Sequence, residues 1–138
     1  MTEAGGSTRV EAEIAAIIDD SYAALSFDEG GEPDWARFAS GYVTGAVLAL
    51  RLFPGDERIR VFDNEGYARA QMRDDLAVHG YVETPGERSF TVVGDVASVL
   101  QRFSMDFPDG TSTPAVDIFS LVRLDGRWKI VSVVSDTL

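Results

Sequence analysis

Apolar residues recur every three or four positions near the start of the chain and every second position in its last third. The first pattern is the stripe of an amphipathic helix, and it comprises Val10, Ile14, Ile17, Ile18, Tyr22 and Leu25. Thr8 and Glu11 have the spacing of a capping box, which marks a helix start. The sequence therefore predicts a helix over about 9–26, preceded by a disordered lead over 1–7.

The next segments predict a short helix and then a strand hairpin. Asp34 can cap a helix that ends before Gly41. Residues 42–53 are largely apolar with β-branched members, 54–57 are typical of a turn, and 58–62 alternate charged with apolar side chains. This change of period predicts two antiparallel strands.

One more helix and a meander of strands complete the predicted elements. Asp63 can cap a helix over about 64–79. Alternating segments separated by Gly-rich turns then predict strands over 89–93, 96–107, 113–124 and 127–134. Helices followed by long antiparallel strands are typical of the α+β class, and we expect a single domain over residues 8–138.

The Asp125-Gly126 pair predicts a two-residue type I′ hairpin in which Leu124 pairs with Arg127. Strict alternation then places one set of residues on the inward face: Asp117, Phe119, Leu121, Trp128, Ile130, Ser132 and Val134. The other face carries Val116, Ile118, Ser120, Val122, Lys129, Val131 and Val133. Because both faces hold large aliphatic residues, we expect helices to cover one and a second copy of the chain to cover the other.

Composition excludes several kinds of site. The 138 residues contain no cysteine and one histidine, so thiolate chemistry and sites that need two imidazoles from one chain are excluded. A net charge of −11 opposes binding to nucleic acid and to anionic membranes. The chain shows neither a signal peptide nor a long apolar segment, and no cofactor motif is present. We expect a cytoplasmic protein without cofactor or metal.

The order of elements resembles the nuclear transport factor 2-like superfamily, most closely uncharacterised SnoaL-like bacterial proteins. The resemblance covers about residues 9–136 and is most specific at Gly94-Asp95-Val96-Ala97 and at Gly126-Arg127-Trp128. It implies a cone-shaped, cystatin-like α+β fold, in which a curved, mixed and mainly antiparallel sheet wraps around the N-terminal helix. The superfamily includes ketosteroid isomerases and polyketide cyclases, so the fold alone does not give the function.

The resemblance also implies roles for two residues. Tyr22 and Asp117 match the tyrosine and the aspartate of the ketosteroid isomerase oxyanion hole, where a neutral carboxylic acid donates a hydrogen bond to a developing enolate. The general base of those isomerases lies at the start of the first long strand. Residues 44–47 of this chain are Thr-Gly-Ala-Val, which offer no proton acceptor of suitable basicity.

Asp117 has two interpretations, because an acid among apolar neighbours requires a partner. It is either a pocket acid or a structural acid bonded to a neighbouring strand. Gln101 lies opposite if the preceding loop has three residues, and Arg102 lies opposite if the loop has four. Other residues predicted to line a pocket are Ile18, Trp35, Phe38, Gln101, Phe103, Phe119, Trp128 and Ile130.

Two functions follow from these expectations. The first is a small-molecule-binding protein, with Asp117 and Tyr22 catalytic if it is an isomerase, cyclase or dehydratase acting by general acid–base chemistry. The alternative is a non-catalytic dimerisation or binding module whose cone is filled by its own side chains. Two or more titratable groups converging in the interior favour the enzyme, whereas Asp117 alone and internally satisfied favours the module.

Overall fold

The computed structural model describes the backbone of residues 2–72 and 76–138, and the side chains of these ranges from residue 8 onward. The elements are α1 (Thr2–Leu25), α2 (Trp35–Ser40), β1 (Tyr42–Leu50), β2 (Arg60–Phe62), α3 (Asn64–Gln71), α4 (Leu76–His79), β3 (Val82–Val93), β4 (Val96–Asp106), β5 (Ser112–Leu124) and β6 (Arg127–Thr137). This order confirms the predicted α+β class.

The six strands form one mixed sheet in the order β2-β1-β6-β5-β4-β3. β1 runs parallel to β6, and the other neighbours are antiparallel. The apolar stripe of α1 contributes Ile14, Ile18, Tyr22 and Leu25 to the core. Burial of this stripe against the sheet supplies the main driving force for the arrangement.

Two helix predictions need correction. α1 begins at Thr2, ahead of the predicted start near residue 9; the lead predicted over 1–7 stays a prediction, and its first residue lies outside the described residues. Glu3 and Ala4 favour helix, and a capping box at Thr8 does not prevent the helical ladder from continuing through it. The single helix predicted over 64–79 is replaced by α3 and α4. α3 ends at Gln71 because the next residue, Met72, leaves the helical conformation with φ −90° and ψ 30°.

β3 begins at Val82, seven residues before the predicted start at Ser89. Pro85 and Gly86, which are typical of a loop, are accommodated by an irregularity in the pairing with β4 between Pro85 and Arg88. The longer strand brings Glu83 opposite Met105 on the inward face of β4.

The last hairpin confirms the predicted turn and corrects part of the predicted faces. Asp125 and Gly126 have φ values of 51° and 78°, as a type I′ turn requires. The predicted register holds as far as Leu121 with Ile130 and then shifts by one residue. Beyond this bulge Val133 is buried and Val134 is 46% exposed, the reverse of the prediction. Ser132 likewise leaves the inward row, which continues through Val133.

Candidate active site

Tyr22 and Asp117 form a buried hydrogen-bonded pair. The stripe of α1 turns Tyr22 toward the sheet, and alternation along β5 turns Asp117 toward the helix. Tyr22 is 4% exposed and Asp117 is 8% exposed. The Tyr22 hydroxyl donates to Asp117 Oδ2 at 2.5 Å. The structure therefore brings the two predicted catalytic residues into direct contact.

The proton of this pair belongs to the tyrosine. Burial raises the pKa of Tyr22 strongly, and the charge of Asp117 raises it further. Burial also raises the pKa of Asp117, to about 6, although hydrogen bonds from Tyr22 and Ser135 oppose the shift. Ser135 is the residue of β6 opposite Asp117, a position it reaches through the register shift. Asp117 accepts from Tyr22 in this arrangement, and its role as a hydrogen-bond donor to a ligand stays a prediction.

Gln101 pairs with Asp117 across β4 and β5, as the shorter of the two loop alternatives predicts. Its side chain serves a different purpose, because Nε2 donates to the carbonyl oxygens of Gly86, Glu87 and Arg102 at 3.0, 3.3 and 2.8 Å. Gln101 therefore holds the irregular segment of β3. The structural interpretation of Asp117 as a partner of Gln101 or Arg102 finds no such hydrogen bond among the described residues.

Glu83 is a second interior acid, which the sequence analysis missed. The Tyr81 hydroxyl donates to Glu83 Oε2 at 2.6 Å, and the Glu83 backbone N–H donates to Ser26 Oγ at 3.1 Å. Burial raises the pKa of Glu83 to about 8, and the charge of Asp117 contributes to the rise. Regular alternation back from Phe90 would place Glu83 on the outer side of β3, and the irregular pairing between Pro85 and Arg88 turns it inward, so the sequence pattern carries no signal for it.

Tyr22, Glu83 and Asp117 line one interior cavity of about 40 Å³. Phe38, Phe103 and Phe119 are also part of its wall. A cavity needs about 10–15 Å³ of such volume to hold one water, so this cavity holds a few waters. Drug-sized ligands need pockets of roughly 300–1,000 Å³, which means that a larger ligand requires side chains to move.

Four other predicted lining residues are absent from the described wall of this cavity: Ile18, Gln101, Trp128 and Ile130. Each is at most 2% exposed and packs in the core. Trp35, half-buried, is likewise absent from that wall and packs edge-on against Phe38 and Tyr67. Aromatic and aliphatic residues on an inward face fill a core as readily as they line a pocket, so the sequence pattern did not separate these groups.

An ion pair lies where the cavity approaches the surface. Arg51 Nε and Asp136 Oδ1 are 2.9 Å apart, and both residues contribute to the cavity wall. Their side chains are 21% and 47% exposed. Arg51 also donates to the Asp56 carbonyl oxygen at 2.7 Å. Arg51 is thus paired with Asp136 and hydrogen-bonded to Asp56.

Structural comparison identifies the fold. A crystal structure of a protein with a cystatin-like fold from Novosphingobium aromaticivorans matches all of this chain and 90% of its own, with a TM-score of 0.74 and 18% identity. The chain has the NTF2-like fold. No family model matches the sequence, and no curated protein matches it either.

Two other structures that match this chain carry functional names of their own. One from Streptomyces avermitilis is named as a candidate dehydratase, with a TM-score of 0.69, 17% identity and coverage of 96% of this chain and 98% of that one. Another, from Xanthomonas campestris, is named as a candidate calcium/calmodulin-dependent protein kinase II association domain, with a TM-score of 0.64 and 21% identity over 91% and 86% of the chains. At this identity the NTF2-like likeness establishes the fold alone.

Residues 44–47, where ketosteroid isomerases carry their general base, lie on β1 in this structure. Ala46 is buried on β1 and offers no proton acceptor. In this NTF2-like chain the second interior carboxyl instead comes from β3, at Glu83. Within the described ranges, no three acidic, histidine or cysteine side chains gather as metal ligands. Over the same residues, no helix combines the length and apolar character needed to cross a bilayer.

Proposed function

We propose that the protein is an enzyme that transforms a small organic molecule by general acid–base chemistry, as an isomerase, cyclase or dehydratase. The observation that carries this proposal is a pair of carboxyls in the wall of one cavity, Asp117, which is buried, and Glu83, which is partly buried. Each accepts a hydrogen bond from a tyrosine, and burial raises the pKa of each. Titratable groups with separated pKa values in one cavity are typical of acid–base sites.

The two environments support different roles. Asp117 accepts hydrogen bonds from Tyr22 and Ser135, so it ionises first and serves as the base. Glu83 lies near the charge of Asp117 and keeps its proton to higher pH, so it serves as the acid near neutrality. A dehydration needs both functions, because one group removes a proton while the other protonates the departing hydroxyl.

The test uses exchange of α-hydrogens in a small ketone, a reaction that needs only proton transfer. Acetone in D2O is followed by proton NMR with wild type, Asp117→Asn and Glu83→Gln. We expect acceleration by wild type that is lost in Asp117→Asn and reduced at least tenfold in Glu83→Gln. Glu87→Gln, an exposed change on the same strand, is the matched control. Equal rates for wild type and Asp117→Asn contradict the proposal.

The alternative is a non-catalytic binding or assembly module, and the cavity volume of about 40 Å³ favours it. An interior that is nearly filled supports a structural role, and one NTF2-like neighbour is named as a candidate association domain. In this case no ketone exchange occurs with any variant. Asp117→Asn then leaves both fold and oligomeric state unchanged.

A further inference from the structure

Gln71 carries a buried polar group that the proposed acid–base site does not use. It is the last residue of α3 and is 1% exposed. Its Nε2 has no hydrogen-bond partner among the residues that the structure describes, and the residue contributes to the same cavity wall as Asp117 and Glu83. A buried donor without a partner has lost its hydrogen bonds to water without replacing them, so an acceptor inside the cavity would remove this penalty.

The charge of the cavity restricts what that acceptor can be. Among the described lining residues the ionisable acids are Glu83, Asp117 and Asp136, and the one cation, Arg51, is paired with Asp136. An anionic ligand would meet the charge of Asp117, and the one cation among these residues is already paired, so an anion is disfavoured. The favoured ligand is therefore uncharged, with an oxygen that accepts a hydrogen bond.

We propose that Gln71 is a substrate-binding residue whose amide N–H donates to the carbonyl oxygen of a small, uncharged carbonyl compound. This inference rests on the proposed function and adds the substrate class to it. Asp117 and Glu83 then act on the atoms adjacent to that carbonyl. Withdrawal of electrons by the Gln71 hydrogen bond makes a neighbouring C–H more acidic, which is what a carboxylate base requires.

A second buried glutamine provides a matched control. Gln101 is 0% exposed, but its Nε2 donates to three backbone carbonyls and it is absent from the described wall of the cavity. Methionine has nearly the shape of glutamine and lacks the amide. Gln71→Met therefore removes a donor without a protein partner, whereas Gln101→Met removes a satisfied one.

The experiment compares wild type and both variants in two measurements. Thermal unfolding without ligand should leave the Tm of Gln71→Met unchanged or raised, whereas Gln101→Met should lower it by several degrees. Binding of acetone and of cyclopentanone is followed through the side-chain amide signals in 15N–1H NMR. We expect at least tenfold weaker binding by Gln71→Met, unchanged binding by Gln101→Met, and no binding of acetate to wild type.

The inference is overturned if Gln71→Met binds the ketones as tightly as wild type does. It is also overturned if neither ketone shifts the side-chain amide signal of Gln71 in wild type, since the amide then binds only water. A clear loss of stability in Gln71→Met also overturns it, since that result assigns the amide a structural role. The test of the proposed function is independent of these results. Equal rates of α-hydrogen exchange in wild type and Asp117→Asn refute the proposed function, whatever Gln71 binds.

Discussion

Ionised Glu83 should destabilise the fold, and Glu83→Gln should relieve this cost. A carboxyl whose pKa is higher in the folded state binds its proton more tightly there than in the unfolded chain. The folded state therefore loses stability as pH rises from the ordinary pKa of 4.5 toward the folded value of about 8. Glutamine keeps an oxygen that accepts from Tyr81 and cannot ionise.

The size of this effect follows from the pKa difference. One pK unit corresponds to about 1.4 kcal/mol, so the ionised carboxyl lowers the free energy of unfolding at pH 8 by on the order of 3 kcal/mol, after allowance for partial solvation. For a chain of this length that corresponds to roughly 10 °C in Tm. At pH 5 the carboxyl is protonated in the folded state, so variant and wild type should nearly coincide.

The assay is urea unfolding of wild type, Glu83→Gln and the exposed control Glu87→Gln at several values between pH 5 and pH 8. We expect the wild type and the control to lose stability with rising pH, and Glu83→Gln to lose much less. The reasoning is refuted if Glu83→Gln is no more stable than wild type at pH 8. An equal pH slope in the two proteins refutes it as well.

Four further predictions concern other parts of the molecule. Tyr22→Phe removes a hydrogen bond that lowers the pKa of Asp117, so carboxyl 13C NMR should show that pKa rising; an unchanged titration contradicts the pair. Gly126→Val should destabilise by roughly 1 kcal/mol or more at its positive φ, whereas Gly55→Val, with open space around it, should be nearly neutral in thermal unfolding. We propose a dimer through the outer sheet face, where Ile118 and Val134 are 40% and 46% exposed; light scattering should show twice the 15.0 kDa of one chain, and Ile118→Lys should dissociate it, whereas a monomeric wild type refutes the proposal. Wild type should not isomerise a Δ5-3-ketosteroid, because the cavity of about 40 Å³ is too small for it; absorbance assays showing turnover contradict this.

The sequence predicted the elements whose signals are local. Asp34 caps α2 as expected, since its side chain accepts from the Arg37 N–H at 3.1 Å, and Asp63 caps α3 in the same way. The turn at Asp125-Gly126 also follows from local backbone chemistry. The helical stripe and the alternation along β5 placed Tyr22 and Asp117 on facing surfaces. The periodicity of a regular helix or strand sets the direction of each side chain, so the sequence was sufficient to predict that these two residues face each other.

The rest of the site depends on two irregularities in strand pairing, which the alternation of apolar and polar residues does not predict. One extra residue in β6 exchanges its inward and outward sides, and this brings Ser135 opposite Asp117. The irregular pairing of β3 between Pro85 and Arg88 lets a strand continue where Pro and Gly predict a loop, and Glu83 depends on it. Both irregularities act on the polar end of the cavity. With regular pairing, Asp117 would have fewer hydrogen bonds and Glu83 would not face the cavity. The two irregularities therefore make the site hard to predict from the sequence, and they also separate the pKa values of the two carboxyls.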